Sequence, residues 1–321
     1  MSRFSLSTRN GESLLKSQNV LLLLALALIA VVVTAINPDF IALTNIIAIF
    51  EQVSVLGILT VAMALLLISG AIDLSIGSIM ALAGVVISRI IMSGGSIWLS
   101  VVAGLLTATI CGVVNGLIIT LTKTMPLIIT LGMAGVYFGI ALMVSGGQFM
   151  NFSGAFDSIG RTRIAGVLPT IVIFVVVVVV LAFVLLNYTR FGRRIVAIGG
   201  NEDNAYLSGI RVNRYKVAVY TIGGLLSGVA SIVLVSRLDS ITATAGTGYE
   251  LSALTAAVVG GVTFEGGRGT IGGAFIGVIL IGVIANSMTI LSVNSYLQTA
   301  ITGAIIVVAV TLSNLQNLRR K

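Results

Sequence analysis

Ile171 to Leu186 reads IVIFVVVVVVLAFVLL, sixteen residues without a charge, an amide, a glycine or a proline. Such a run has no polar face for water. It also lacks the apolar–polar alternation, over about ten residues, that marks a membrane β-strand. Apolar runs near or above eighteen residues recur along the chain, each long enough to cross a hydrocarbon core of about 30 Å as a helix. Charged residues make up only 9% of the 321, against about 25% in soluble domains. The sequence predicts an all-α, polytopic transmembrane helical bundle formed as one domain over residues 1–321.

Ten spans are expected, near 20–36, 52–69, 76–93, 98–121, 127–145, 167–187, 216–236, 251–262, 271–290 and 296–313. The first follows Arg3, Arg9 and Lys16 as a signal peptide would. At seventeen residues, with no small-x-small site before Asn37-Pro38, it reads as a retained span. Orientation follows from the basic residues. With the N-terminus inside, one side collects Arg3, Arg9, Lys16, Lys123, Arg268, Arg319, Arg320, Lys321 and six more between 188 and 216. The opposite side keeps Arg89, Arg161, Arg163 and Arg237. The positive-inside rule then makes both tails, 1–19 and 314–321, and the loop 188–216 cytoplasmic. The net charge of +8 is explained by these loops. No basic stripe interleaved with aromatics points to nucleic acid.

The loop at 188–216 is the longest charged interruption. It carries Arg190, Arg193, Arg194, Arg211, Arg214 and Lys216, with Glu202 and Asp203 between them. A polar segment held on one face of a membrane protein is a natural grip for a soluble partner. The loops expected on the far face are 37–51, 146–166 and 237–250, with Asp39, Glu51, Asp157, Asp239 and Glu250. They offer charges of both signs to an external protein.

Two glycine-rich breaks interrupt apolar sequence. Residues 69–78 read SGAIDLSIGS and contain Gly70, Asp73, Ser75 and Gly77; residues 259–269 read VGGVTFEGGRG and contain Gly266, Gly267 and Gly269. Non-helical backbone in a membrane protein must be covered by protein or line a cavity. Asp73 or Ser75 can cap the helix that follows; Asp73 can equally belong to a path or its gate, since a lone intramembrane acid needs a partner or a role. The two breaks suggest a vestigial internal repeat. The second lacks the strand and the GK[ST] ending of a phosphate-binding loop. Most of the 37 glycines have the spacing of close helix packing, as Gly269, Gly273 and Gly277 do.

Catalytic chemistry is scarce. There is no histidine, and the single cysteine, Cys111, lies in an apolar stretch, so no zinc site or disulfide is expected. No carboxylate relay runs through the spans, which argues against a proton-coupled carrier. A sodium-coupled carrier, using backbone carbonyls, and an inert scaffold remain as rival readings. Neutral polar residues do occur on spans, Asn115 and Asn286 among them with several threonines and serines. They suit a neutral, hydroxyl-rich solute, and they equally suit bonds between helices.

Three stretches carry a resemblance: Ser69 to Ser78; Gly192 to Lys216, reading GRRIVAIGGNEDNAYLSGIRVNRYK; and Ala245 to Gly273, reading AGTGYELSALTAAVVGGVTFEGGRGTIGG. Their order and sequence resemble bacterial ABC-importer permeases of the monosaccharide, ribose-type family, and more distantly the branched-chain amino acid permeases. The resemblance implies a non-catalytic, multi-pass permease of the bacterial inner membrane that pairs with a second permease copy. It implies a cytoplasmic ATPase, which binds the ATP and magnesium, and a periplasmic sugar-binding protein; this chain would bind no cofactor or metal. Asn201, Glu202, Asp203, Leu207, Ser208, Gly209 and Ile210 fall on the family's coupling loop. Asp203 and Asn204 replace small residues there, and Tyr206 replaces a basic one. In the third stretch Val262 and Glu265 replace smaller or hydroxyl residues. Physically, Asn201 can cap a short helix with acids in its first turn, and Gly209 can end it.

Overall fold

The sixteen residues from Val53 to Ile68 are buried on every side, an arrangement open only to a helix that is apolar all round. In the computed structural model they form most of helix α2 (Leu43–Ile68), against which four later helices pack. The structure describes residues 18–318 apart from 153, 157–159, 161 and 165–167. Arg3, Arg9 and Lys16, the last three residues of the chain, Asp157 and Arg161 lie outside the described residues.

Helix α1 (Gln18–Ile36) leads through a 3₁₀ turn at Pro38–Ile41 into α2. Next come α3 (Ile76–Met92), α4 (Ile97–Thr122) and α5 (Pro126–Ser145). Then follow α6 (Thr170–Tyr188), α7 (Arg190–Gly200) and the short α8 (Glu202–Leu207). The last four are α9 (Val212–Leu238), α10 (Tyr249–Val259), α11 (Ile271–Ile290) and α12 (Ser295–Leu318). Each expected span falls on one helix. Six of them (α2, α4, α5, α6, α9 and α11) are long and apolar enough to cross a membrane alone. Helix α10 has eleven residues; at 1.5 Å per residue it reaches about 17 Å, roughly half a hydrocarbon core.

One boundary changes. The span placed at 52–69 begins at Leu43, so Glu51 is not in a loop: it sits on α2, 3.9 Å from the Arg237 guanidinium of α9. An ion pair lets both charges stand near the apolar zone. The architecture is helical as expected, and among the described residues its loops add four two-residue strands: β1 (Met150–Asn151), β2 (Arg163–Ile164), β3 (Leu168–Pro169) and β4 (Ser240–Ile241). β1 pairs antiparallel with β4 and β2 with β3, so loops that leave the helices satisfy their backbone against each other.

Glycines set the helix spacing. Gly112 and Gly116 of α4 face Tyr220, Gly224 and Val217 of α9, where an added Cβ would stand 2.3 Å from the Tyr220 carbonyl oxygen. Gly224 and Gly228 answer from α9 against Ala108. Gly273 and Gly277 bring α11 onto Gly260 and Ala256 at the end of α10. This is the close backbone approach expected where apolar burial no longer drives association. Gly77 belongs with this group: it lies in the first turn of α3, not in the break, and faces Gly246.

Candidate docking element and translocation cleft

The loop at 188–216 folds into α7, α8 and the start of α9. Asn201 caps α8, its Oδ1 accepting from the Asn204 N–H at 2.8 Å, with Glu202 and Asp203 in the first turn where the dipole favours acids. The helix ends as its glycine requires. Gly209 takes φ +81°, its N–H bonds the Tyr206 carbonyl at 2.9 Å, and the Ile210 N–H reaches back to Ala205 at 3.1 Å. Ser208 Oγ donates to the Asn204 carbonyl. Ile210 turns inward onto Ile198, Ala205 and Val212. Leu207 and Tyr206 point outward, 80% and 70% exposed, an apolar tip on a charged element. Lys216 holds Glu202 at 2.5 Å.

Both breaks start the same way. At the end of α2, the Gly70 N–H bonds Leu67 and the Ala71 N–H bonds Leu66; at the end of α10, Gly261 bonds Val258 and Val262 bonds Ala257. Gly70 and Gly261 take φ +76° and +90°. Beyond these matched caps the two breaks meet each other and α7. The Gly267 N–H donates to the Ile68 carbonyl at 2.9 Å. Gly199 of α7 lies against Ile68, Gly70 and Gly267, and Gly266 lies against Gly70 and Gly199. Gly266, Gly267 and Gly269 all have positive φ, which a side chain would strain. The result is a clasp made of main chain, joining α7 to both breaks. Sequence reading missed it, although the Gly-Gly pairs at 199–200 and 266–267 signalled backbone that something approaches closely.

Asp73 is fully buried. Its Oδ1 accepts from the Ser75 N–H at 2.8 Å and Ser75 Oγ at 2.6 Å; its Oδ2 accepts from Asn115 Nδ2 at 3.1 Å. Asn115 also donates to Ser75 Oγ and accepts from the Tyr137 hydroxyl at 2.8 Å. Tyr220 donates to the Ile72 carbonyl, and Thr130 Oγ1 accepts from the Leu74 N–H. The structure thus brings Asp73, Ser75 and Asn115 together in one network that fixes the first break against α4, α5 and α9. Asn286 is elsewhere: it exchanges amide hydrogen bonds with Asn45 at 2.9 and 3.0 Å, near the opposite end of α2.

A cleft of about 580 Å³ opens between α2, α10, α11 and α12. Its polar lining comprises Gln52, Thr247, Tyr249, Ser252, Thr255, Ser295, Gln298, Thr299 and Thr302, and among the described residues no charged side chain lines it. Leu56, on its wall, is twelve residues from Ile68, about 18 Å along α2 from the clasp. Asp73, Ser75, Asn115 and Asn286 do not line this cleft. Sequence reading named none of the cleft's polar residues, since hydroxyls at helical spacing look the same whether they face a cavity or a neighbouring turn.

Residues 45–310 match the family described as "Branched-chain amino acid transport system / permease component". The chain is a member of that permease family. It is 39% identical over 292 residues to the ribose import permease protein RbsC of Bacillus subtilis, covering 90% of each chain. It is 37% identical over 297 residues to RbsC of Escherichia coli K12, covering 91% of this chain and 92% of that one. To the D-allose transport system permease protein AlsC of the same organism it is 34% identical over 293 residues, 90% of each. No solved structure was found to match. Family and apolar helices together make the chain a multi-pass transport subunit of the bacterial inner membrane.

Proposed function

We propose that the chain is the permease of a binding-protein-dependent ABC importer for a monosaccharide, with ribose or a closely similar aldose as the solute. The observation that carries the choice of solute is the cleft: hydroxyls and amides along an apolar wall, without a charge pair for the ammonium and carboxylate of an amino acid. The names of the similar permeases, for ribose and allose, point the same way.

In this reading residues 188–216 and both tails face the cytoplasm. The exposed tip at Tyr206 and Leu207, with Glu202 and Asp203 behind it, docks on an ATPase that holds ATP and magnesium. Closure of the ATPase pushes α8 and α7, and the glycine clasp passes the displacement to the ends of α2 and α10. Those two helices also wall the cleft, so one motion at the clasp reaches the solute path. A second copy of the chain completes the path, and a periplasmic binding protein delivers the sugar. Asp73, Ser75 and Asn115 hold the hinge side of the first break in this scheme, and solute does not touch them.

The test is uptake into proteoliposomes containing the permease, its ATPase and a binding protein, with a panel of radiolabelled sugars. Ribose accumulation that needs ATP and the binding protein is expected. Accumulation by the permease alone under a sodium or proton gradient would replace the proposal with the carrier reading.

A further inference from the structure

Between α7 and the start of α9 lies a second pocket, of about 400 Å³, closed on one side by the turn at 209–210. Arg194, Arg211 and Arg214 line it, and no acidic side chain does. All three arginines are exposed. Among the described residues, none of them has a carboxylate partner; the ion pairs there are Lys216 with Glu202 and Arg237 with Glu51. The rest of the lining is apolar: Phe191 and Tyr215 lie ring to ring at 5.6 Å, with Ala218 beside them. Arg194 reaches over Tyr215, 5.4 Å from the ring centroid, and bonds its hydroxyl.

We propose that this pocket binds the phosphate of an anionic phospholipid headgroup. Guanidinium forks match phosphate oxygens in charge and in geometry. The position fits a lipid better than a soluble partner. Helix α7 begins two residues after the apolar α6 ends at Tyr188, and α9 is itself long and apolar enough to cross a membrane, which puts the pocket where two such helices would leave the hydrocarbon. Headgroups lie at that level. The apolar floor suits the glycerol and first methylenes of a lipid. Tyr206 and Leu207, the exposed tip assigned to the soluble partner, lie outside the pocket; of the coupling loop only the turn at Gly209 and Ile210 lines it. A lipid held there would seat the docking element at a fixed height on the membrane. The inference rests on the permease reading only in placing 188–216 at a membrane surface, whatever solute is carried.

The test uses the full-length permease in detergent, stripped of lipid and titrated under native mass spectrometry. Phosphatidylglycerol and phosphatidylcholine with identical acyl chains are compared, with inorganic phosphate as competitor. Three cationic groups make phosphatidylglycerol bind about 100-fold more tightly. Arg194→Gln/Arg211→Gln/Arg214→Gln abolishes the preference, whereas Arg190→Gln/Arg193→Gln, two exposed arginines outside the pocket, keeps it. Arg211→Gln alone, in the turn before α9, lowers it by about fivefold and serves if the triple variant does not fold. Equal affinity for the two lipids overturns the proposal, as does a preference unchanged in the pocket variants. Displacement of phosphatidylglycerol by millimolar phosphate would make the site one for the free anion. Loss of ATPase capture with the lipid preference intact would assign the arginines to a carboxylate of the ATPase instead.

Discussion

Gly199→Ala is the sharpest perturbation of the clasp, because secondary-structure preference and packing predict opposite signs. In a helix, alanine is favoured over glycine by about 1 kcal/mol. The new Cβ, however, would stand 2.0 Å from the Ile68 carbonyl oxygen, 2.6 Å from the Gly267 nitrogen and 3.0 Å from the Gly70 nitrogen. All three are main-chain atoms, so no rotamer change relieves the clash, and the strands of the clasp must part by about 1 Å or more. Overpacking of this kind costs about 1–3 kcal/mol. Loss of the Gly267 to Ile68 hydrogen bond adds about 0.5–1.5 kcal/mol. After the helix gain, the net loss is roughly 0.5–3.5 kcal/mol. Gly200→Ala is the matched control, since a Cβ there meets open space; it should be neutral or gain up to about 1 kcal/mol. Thermal unfolding in detergent reads the first effect, and ATP-driven uptake at equal protein reads the coupling. Gly199→Ala should unfold earlier and lose uptake while still capturing the ATPase. If it matches Gly200→Ala in stability and transport, the clasp does not transmit anything.

Other perturbations separate the remaining parts. Asn115→Leu strips Asp73, Ser75 and Tyr137 of a buried partner and should cost about 1–3 kcal/mol, read as a lower unfolding temperature than that of Thr299→Val, which lies at the cleft. Gly303→Leu places a side chain into the cleft from a position where a Cβ meets nothing; stability should hold while uptake falls by about tenfold or more, about 1.4 kcal/mol on the barrier. Full uptake by that variant would remove the cleft from the solute path. Glu202→Gln breaks a partly exposed ion pair worth about 0.2–1 kcal/mol, so unfolding should shift only slightly. Its effect should appear in ATPase association, measured by co-purification, and intact association would separate α8 from docking.

Much of this was legible because lipid imposes simple rules. Apolar length located the helices, and glycine marked where some of them end: Gly70 and Gly209 each stand one residue past a helix cap with positive φ, as does Gly261, which the span expected at 251–262 ran through. Asn201 and its two acids announced α8. Distance in the chain hid the rest. Nothing local tells Ser69-Gly70, Gly199-Gly200 and Gly266-Gly267 that they share one contact, because glycine has no side chain whose chemistry could name a partner. Asp73 announced a need for partners but not which ones, and Asn115 lies 42 residues away. Asn286 shows the reverse case: its amide suggested a solute contact, and the structure spends it on Asn45.

The clasp also separates two kinds of change. Its contacts are carbonyls, amide nitrogens and α-carbons, so they are blind to which residues decorate the outer surface of α8. Asp203, Asn204 and Tyr206 are exposed and none of them touches the clasp, so under the proposed coupling they could vary with the ATPase without altering the clasp's contacts. In the proposed coupling, recognition would rest on the exposed side chains of α8, the seat of α8 on α7 on the apolar cluster around Ile198 and Ala205, and the step from α7 to the two breaks on main chain. A permease built this way can change its engine without rebuilding its gearbox.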